Sequence, residues 1–231
     1  MKIFAISDLH LTNECNKPME VFGGNWENYI QKIEENWRGK ISNDDIVLIA
    51  GDISWAMKLE ETKTDFKWIG SLPGKKIMIR GNHDYWWKSI SNIRAVLPDG
   101  TYAIQNDAIK LGQWIFCGTR GWNIPEQNEE QTEEDKKITN KEIERLKLTL
   151  KSAKALQTDG EEIILMIHFP PMNSKKQDNA FTSLFEEYGV SKVIFGHIHG
   201  STKSDKVFAK NGIKYYLTSC DQIGNNPVEI E

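Results

Sequence analysis

The sequence predicts an α/β (α+β) fold: a four-layer αββα sandwich of two packed mixed β-sheets flanked by helices. Short apolar runs at Ile3–Ile6, Ile46–Ala50 and Ile77–Arg80 have the character of strands buried on both faces. These runs alternate with segments of helical periodicity, which implies parallel strands joined by crossover helices. The middle of the chain instead carries strands joined by tight polar turns, as antiparallel pairing requires.

Each element has its own justification. Between the first two strands, Trp26, Tyr29, Ile30, Ile33 and Trp37 recur at helical spacing and form one apolar face. Between the second and third, Phe66 and Ile69 mark a shorter helix closed by Leu72-Pro73-Gly74. Trp86, Ile90, Ile93 and Leu97 repeat the pattern up to Pro98-Asp99-Gly100. Tyr102–Ile104, Ala108–Leu111 and Trp114–Gly118 then form an antiparallel set around Gln105-Asn106-Asp107 and Gly112-Gln113. Residues 123–139 are polar and acidic, and are expected to be an exposed loop, with a flap over the site as the alternative. Thr139-Asn140-Lys141-Glu142 has the pattern of a capping box, opening a helix with Ile143, Leu146, Leu150 and Ala153 on one face. Ile163–Ile167 and Val193–Phe195 are further buried strands, separated by a helical Phe181, Leu184, Phe185, Tyr188 pattern. Asn211-Gly212 between two β-rich runs predicts a hairpin.

At 231 residues, with no repeat or linker, the chain is expected to form one domain, 1–231. A formal charge of −4 argues against a general nucleic-acid or anionic-membrane binder. Cys15, Cys117 and Cys220 are odd in number and widely spaced, which argues against a disulfide framework and for a reducing compartment. The first apolar run is too short for a signal peptide, and no run approaches the roughly 18 apolar residues of a membrane span. A cytoplasmic protein without a membrane span, and with no protein partner evident, is the expectation.

All five histidines lie in motifs that end apolar runs: Ser7-Asp8-Leu9-His10, Gly81-Asn82-His83-Asp84, Ile167-His168-Phe169-Pro170 and Gly196-His197-Ile198-His199. Gly51-Asp52 occupies the same kind of position and supplies a carboxylate. In open α/β sheets, ligands bind beyond the carboxyl ends of the strands, where these groups fall. Residues two apart on extended backbone point the same way, so Asp8 with His10, and His197 with His199, are each expected to face one site. The glycines before Asp52, Asn82 and His197 allow tight turns and close backbone approach. The mixed nitrogen and oxygen donors suit Mn, Fe, Zn, Co or Ni better than Ca or Mg, and lack the thiolates of a structural zinc site. Seven candidate ligands exceed the needs of one tetrahedral ion and match two ions, divalent or trivalent, that share a carboxylate.

In order and spacing these motifs resemble the signature of the calcineurin-like metallophosphoesterases, from Asp8 to His199. The resemblance implies that Asp8, His10 and His199 hold one metal, that Asn82, His168 and His197 hold the other, and that Asp52 bridges them. It makes His83 the residue facing the leaving group, with Asp84 holding its ring. The implied activity is hydrolysis of P–O bonds in a small phosphorylated substrate: a phosphomonoester, phosphodiester or nucleotide-like compound. Two metals would clamp the phosphoryl group and lower the pKa of a bridging water, giving a hydroxide that attacks phosphorus in line. Where many members carry an acidic residue after Gly-Asp, this chain has Ile53-Ser54-Trp55. The step from Asp8 to Asp52 is also long, and the Trp26–Trp37 helix fills it.

Alternatives stand beside several assignments. The opening Ile6-Ser7-Asp8-Leu9-His10-Leu11 also resembles that of UDP-diacylglucosamine hydrolases, which would make the chain a pyrophosphatase. A scaffold that has lost its metal chemistry should have lost ligands, and none is missing here. His168 has the alternative of an ordinary turn histidine, and His83 that of a purely phosphate-binding residue. Arg120 either reaches a substrate phosphate or pairs with a carboxylate. Trp55, Tyr85, Trp86 and Trp122 are expected in the core rather than along a pocket.

Overall fold

A computed structural model describes residues 1–12, 17–200 and 205–231. Cys15 lies outside the described residues, while Cys117 and Cys220 are buried and free. The first sheet contains β1 (Ile3–Ile6), β2 (Ile46–Ile49), β3 (Lys75–Met78) and β4 (Thr101–Ala103), all parallel. Helices α1 (Tyr29–Lys40), α2 (Lys63–Ser71) and α3 (Ile90–Arg94) lie between them in sequence. The second sheet holds β5 (Asp107–Leu111), β6 (Trp114–Thr119), β7 (Glu162–Ile167), β8 (Val190–Phe195), β9 (Val207–Lys210) and β10 (Ile213–Leu217). Its spatial order is β5-β6-β7-β8-β10-β9; the four central strands are parallel and both edge pairs antiparallel. Helices α4 (Glu133–Leu156) and α5 (Ala180–Glu187) fall among these strands in sequence, and β11 (Val228–Glu229) pairs antiparallel with β1 at the edge of the first sheet.

Alternation along each strand builds the four layers. Ile3 and Ala5 join Leu48, Ile77, Phe116, Ile164, Met166 and Ile194 in a core drawn from both sheets, so the sheets pack face to face. Phe4, Ile6, Val47 and Ile49 point the other way, onto Ile33, Trp37, Phe66 and Ile69 of α1 and α2. On the far side, Ile115, Cys117, Ile163 and Leu165 meet Leu146, Leu150, Phe181 and Phe185 of α4 and α5. The αββα sandwich is therefore as expected. Among the described residues, no helix is long and apolar enough to cross a membrane.

Four local expectations change. The strands around Gln105-Asn106-Asp107 do not pair with each other: β4 lies parallel to β3, and β5 crosses to the other sheet to pair with β6. Helix α4 starts at Glu133, not at the Thr139 box. Thr132 caps it by accepting the N–H of Asp135 (3.1 Å), and Glu133, Glu134 and Asp135 favour the positive end of the helix. Trp26 sits in a 3-10 turn (Gly24–Trp26) just before α1, although its side chain still joins that core. Finally, β3 begins at Lys75, because Lys76 is buried and its ammonium donates to the Leu72 carbonyl.

Candidate metal centre

The carboxyl ends of β1, β2, β3, β7 and β8 bring all the motif residues to one edge of the sandwich. Sharp backbone reversal makes this possible. Asp8 (φ 57°), His10 (φ 44°), Asp52 (φ 51°) and His197 (φ 70°) are all left-handed, a conformation Asp, Asn and His tolerate better than most residues but still at a cost of order 1 kcal/mol each. Asp8 and His10 therefore do not share an extended segment; their shared facing comes from the left-handed turns. The glycines do as expected. A Cβ on Gly196 would fall 2.3 Å from Oδ2 of Asp8, and one on Gly51 would fall 2.7 Å from Nδ1 of His168.

Two clusters of donor atoms result. In the first, Nε2 of His199 lies 3.3 Å from Oδ1 of Asp8 and 3.4 Å from Nε2 of His10. In the second, Oδ1 of Asn82 lies 2.7 Å from Nε2 of His168 and 2.9 Å from Nδ1 of His197. Oδ2 of Asp52 stands between them, 3.8 Å from Nε2 of His10 and 3.4 Å from Nε2 of His168. That oxygen is buried and accepts no hydrogen bond, a costly state for a carboxylate unless a cation completes it. The donor set thus fits a pair of metal ions, and the Asp8–His10–His199 and Asp8–Asp52–His168 groups each have ligand atoms within 4.8 Å of one another.

The surrounding bonds fix these donors. Nδ1 of His168 donates to the Ala50 carbonyl (2.9 Å), leaving Nε2 for the site. Oδ1 of Asp52 accepts the N–H of His83 (2.8 Å), and Asp8 accepts the N–H of His197 (3.0 Å). Nδ1 of His199 meets Oδ1 of Asp221 at 2.9 Å, while the other oxygen of Asp221 accepts the N–H of Gly200. Asp221 has no place in the sequence motifs, yet it too lies just past a strand end, that of β10.

The metal-free electrostatics point the same way. Burial opposes charge on His168 and His199, but Asp52 outweighs it for the first and Asp221 with Asp8 for the second, raising their pKa values to about 9 and about 10. Burial also opposes ionisation of Asp8 and Asp52, yet the neighbouring imidazoles hold both below the usual carboxylate range. Burial lowers His10 and His197 to about 4. Two bound protons therefore offset two carboxylates, and metal ions would displace those protons.

Two expectations for side chains are corrected. Asp84 does not hold the His83 ring. It is wholly buried, and its oxygens accept the N–H groups of Ile53 (2.8 Å), Ser54 (3.2 Å) and Gly81 (2.8 Å), tying the β2 loop to the β3 loop. The neighbour of His83 is Tyr85, whose hydroxyl lies 3.3 Å from Nδ1. Arg120 pairs instead with the buried carboxylate of Glu142 (3.2 Å), which it shares with Arg145 (2.5 Å). Trp86 is in the core as expected, whereas half-buried Trp55 stacks on His10 (4.9 Å, 22°) and lines a cavity. Asn123, Ile124 and Glu126 border a second cavity beside His197.

The model of the calcineurin-like phosphoesterases matches residues 1–201. The chain belongs to that family. It is accordingly a metal-dependent hydrolase acting on phosphate esters, in a family whose members typically hold two metals. No curated protein sequence matches the chain. Among solved structures, it resembles the phosphopantetheinyl hydrolase PptH of Mycobacterium tuberculosis at TM-score 0.59 and 13% identity, covering 99% of this chain and 95% of that one. The protein TT1561 of Thermus thermophilus gives 0.59 at 11% identity, with 99% and 97% covered. The protein of unknown function AQ665 from Aquifex aeolicus gives 0.53 at 14%, with 99% and 95% covered. At these identities the likeness is one of fold.

Proposed function

We propose that this phosphoesterase hydrolyses a P–O bond of a small phosphomonoester, phosphodiester or nucleotide-like substrate at a binuclear centre. Asp8, His10 and His199 would hold one ion and Asn82, His168 and His197 the other, with Asp52 shared. The carrying observation is Oδ2 of Asp52, buried, without a hydrogen bond and standing between the two clusters. When bound, two ions drawn from Mn, Fe, Zn, Co or Ni would lower the pKa of water and neutralise charge on the phosphoryl oxygens.

The chain's own residues do the rest. Asp52 is aimed by the His83 N–H at Oδ1, which leaves Oδ2 free to be shared. Asp221 orients His199, and the Ala50 carbonyl orients His168. His83, half-buried at the rim with Tyr85 at Nδ1, has Nε2 available to pass a proton to the departing oxygen. Asp84 acts at one remove, by holding the two loops that carry Asp52 and Asn82 in register.

The test is Asp52→Asn. It should abolish turnover of p-nitrophenyl phosphate and bis-p-nitrophenyl phosphate, and lower the content of both metals measured by elemental analysis. Full metal content with wild-type turnover would refute the shared-ligand role.

A further inference from the structure

The centre opens on two unlike sides. Beside His197 lies a cavity of about 610 Å³ whose wall mixes Glu126, Asn173 and Lys176 with Met172, Ile198 and Phe208. On the His83 side lies one of about 830 Å³, lined by His10, His83 and His199 together with Met19, Phe22, Trp26 and Trp55. The second wall is built to stay in place. The Trp55 ring stacks on His10 and lies 4.6 Å from His83, and its Nε1 donates to Sδ of Met19 (3.3 Å). Trp26 packs 5.9 Å from His10 and 5.5 Å from His199. Phe22, which lines the cavity, is 72% exposed on a 3-10 turn (Met19–Phe22) beside Val21, which is 73% exposed. Two adjacent large apolar side chains left in water beside a concave apolar wall mark a binding surface more than a packing accident.

We propose that this apolar cavity is the leaving-group subsite, and that the preferred substrates are phosphate esters of a bulky apolar alcohol or phenol. The inference rests on the reading of His83 as proton donor: the ester oxygen must lie at His83, so the organic group beyond it enters the cavity that His83 lines. What stays on phosphorus faces the cavity beside His197, the more polar of the two. Ester and water give alcohol and phosphate product: the bond from phosphorus to the ester oxygen breaks as the one from phosphorus to the water oxygen forms. The alcohol receives a proton from His83, which regains one from the water consumed. The volume is within the range of pockets that enclose a whole small ligand.

The test uses the metal-loaded wild-type enzyme and ethyl, hexyl and 2-(2-naphthyl)ethyl phosphates, each as monoester and as methyl diester. Their alcohols have similar acidity, so differences report binding of the leaving group. We expect kcat/KM to rise at least tenfold from ethyl to naphthylethyl in whichever ester class is turned over. Phe22→Ser should erase most of that ratio through KM. Val96→Ser, also exposed (52%) but lining neither cavity, should retain it. A flat series, or an unchanged ratio in Phe22→Ser, overturns the subsite while leaving the phosphoesterase reading intact. If no member of the series, p-nitrophenyl phosphate or bis-p-nitrophenyl phosphate is hydrolysed, the parent reading fails and the subsite falls with it.

Discussion

Gly81→Ala places one methyl against Asp52, the residue proposed to be shared by two metal ions. On the native backbone its Cβ would fall 2.1 Å from Oδ1, 2.8 Å from Cγ and 2.3 Å from the backbone nitrogen of Asp52. Rotating the carboxylate relieves the first two contacts but not the third. Real Cβ contacts do not come under 3.0 Å, so the Asp52 loop and the Gly81 turn must part by roughly 1 Å in a close-packed setting. Gly81 is outside the left-handed region, so alanine brings no backbone penalty and the effect is steric. Overpacking of this kind costs about 1–3 kcal/mol. The functional cost should be larger, because parting the loops stretches the His83 N–H bond to Asp52 and draws Oδ2 out of its place between His10 and His168. A misplacement near 1 Å costs on the order of 100-fold in rate. Gly39→Ala in α1, where an added Cβ meets nothing within 4 Å, is the control and should gain about 0.5–1 kcal/mol. The assays are urea melts, metal per chain by elemental analysis, and turnover of p-nitrophenyl phosphate. Gly81→Ala carrying two metals per chain and turning over within twofold of wild type would refute the reasoning.

The other predictions concern Asp84, Tyr85 and Lys76. Asp84→Asn leaves three buried N–H groups short of a carboxylate and should cost about 2–4 kcal/mol by urea melt. Its turnover should fall equally for good and poor leaving groups, whereas Tyr85→Phe should slow poor ones most without lowering Tm; the reverse pattern would restore Asp84 as the partner of His83. Burial lowers the Lys76 pKa from 10.5 to about 8, so its charge costs roughly 3 kcal/mol at neutral pH. Between those values the unfolded chain binds the proton and the native one does not, so the wild type's stability gains on Lys76→Met as pH rises through that window. Lys76→Met should be the more stable by about 2 kcal/mol at pH 7, after losing the bond to the Leu72 carbonyl, with the advantage gone by pH 10. A gap in urea melts that does not change from pH 7 to 10 counts against a charged, buried Lys76.

Strands buried on both faces announce themselves as unbroken apolar runs, which is why β1, β2 and β7 are legible in the sequence. The failures are local and have physical causes. Lys75-Lys76 hides the start of β3, because a buried ammonium can be satisfied by a carbonyl that only the fold supplies. Thr132 and Thr139 offer rival caps; the first wins because Glu142, the acid of the second, is needed in the interior by Arg120 and Arg145. The turn at Gln105-Asn106-Asp107 looks like a hairpin, but nothing in a turn's composition says which sheet its second strand will join. A two-residue edge strand such as β11 carries no periodicity to detect.

The candidate site is more legible than the fold, because ligand chemistry restricts residue type at every position. What was not legible is which atoms support it. Asp84, adjacent to His83 in sequence, reaches the β2 loop, while Asp221, far away in sequence, holds His199. Adjacency misleads here because four of the seven proposed ligands, Asp8, His10, Asp52 and His197, are left-handed, and the turn at Asp52 delivers the N–H groups of Ile53 and Ser54 to Asp84. The same strain explains the glycines: the proposed ligands, drawn from five strand ends, can converge only if their backbones nearly touch. Gly51, Gly81 and Gly196 stand where a side chain would occupy the position of a ligand atom or its loop. Those glycines and the left-handed Asp and His residues are therefore one device, and a substitution at either kind of position should cost metal before it costs the fold.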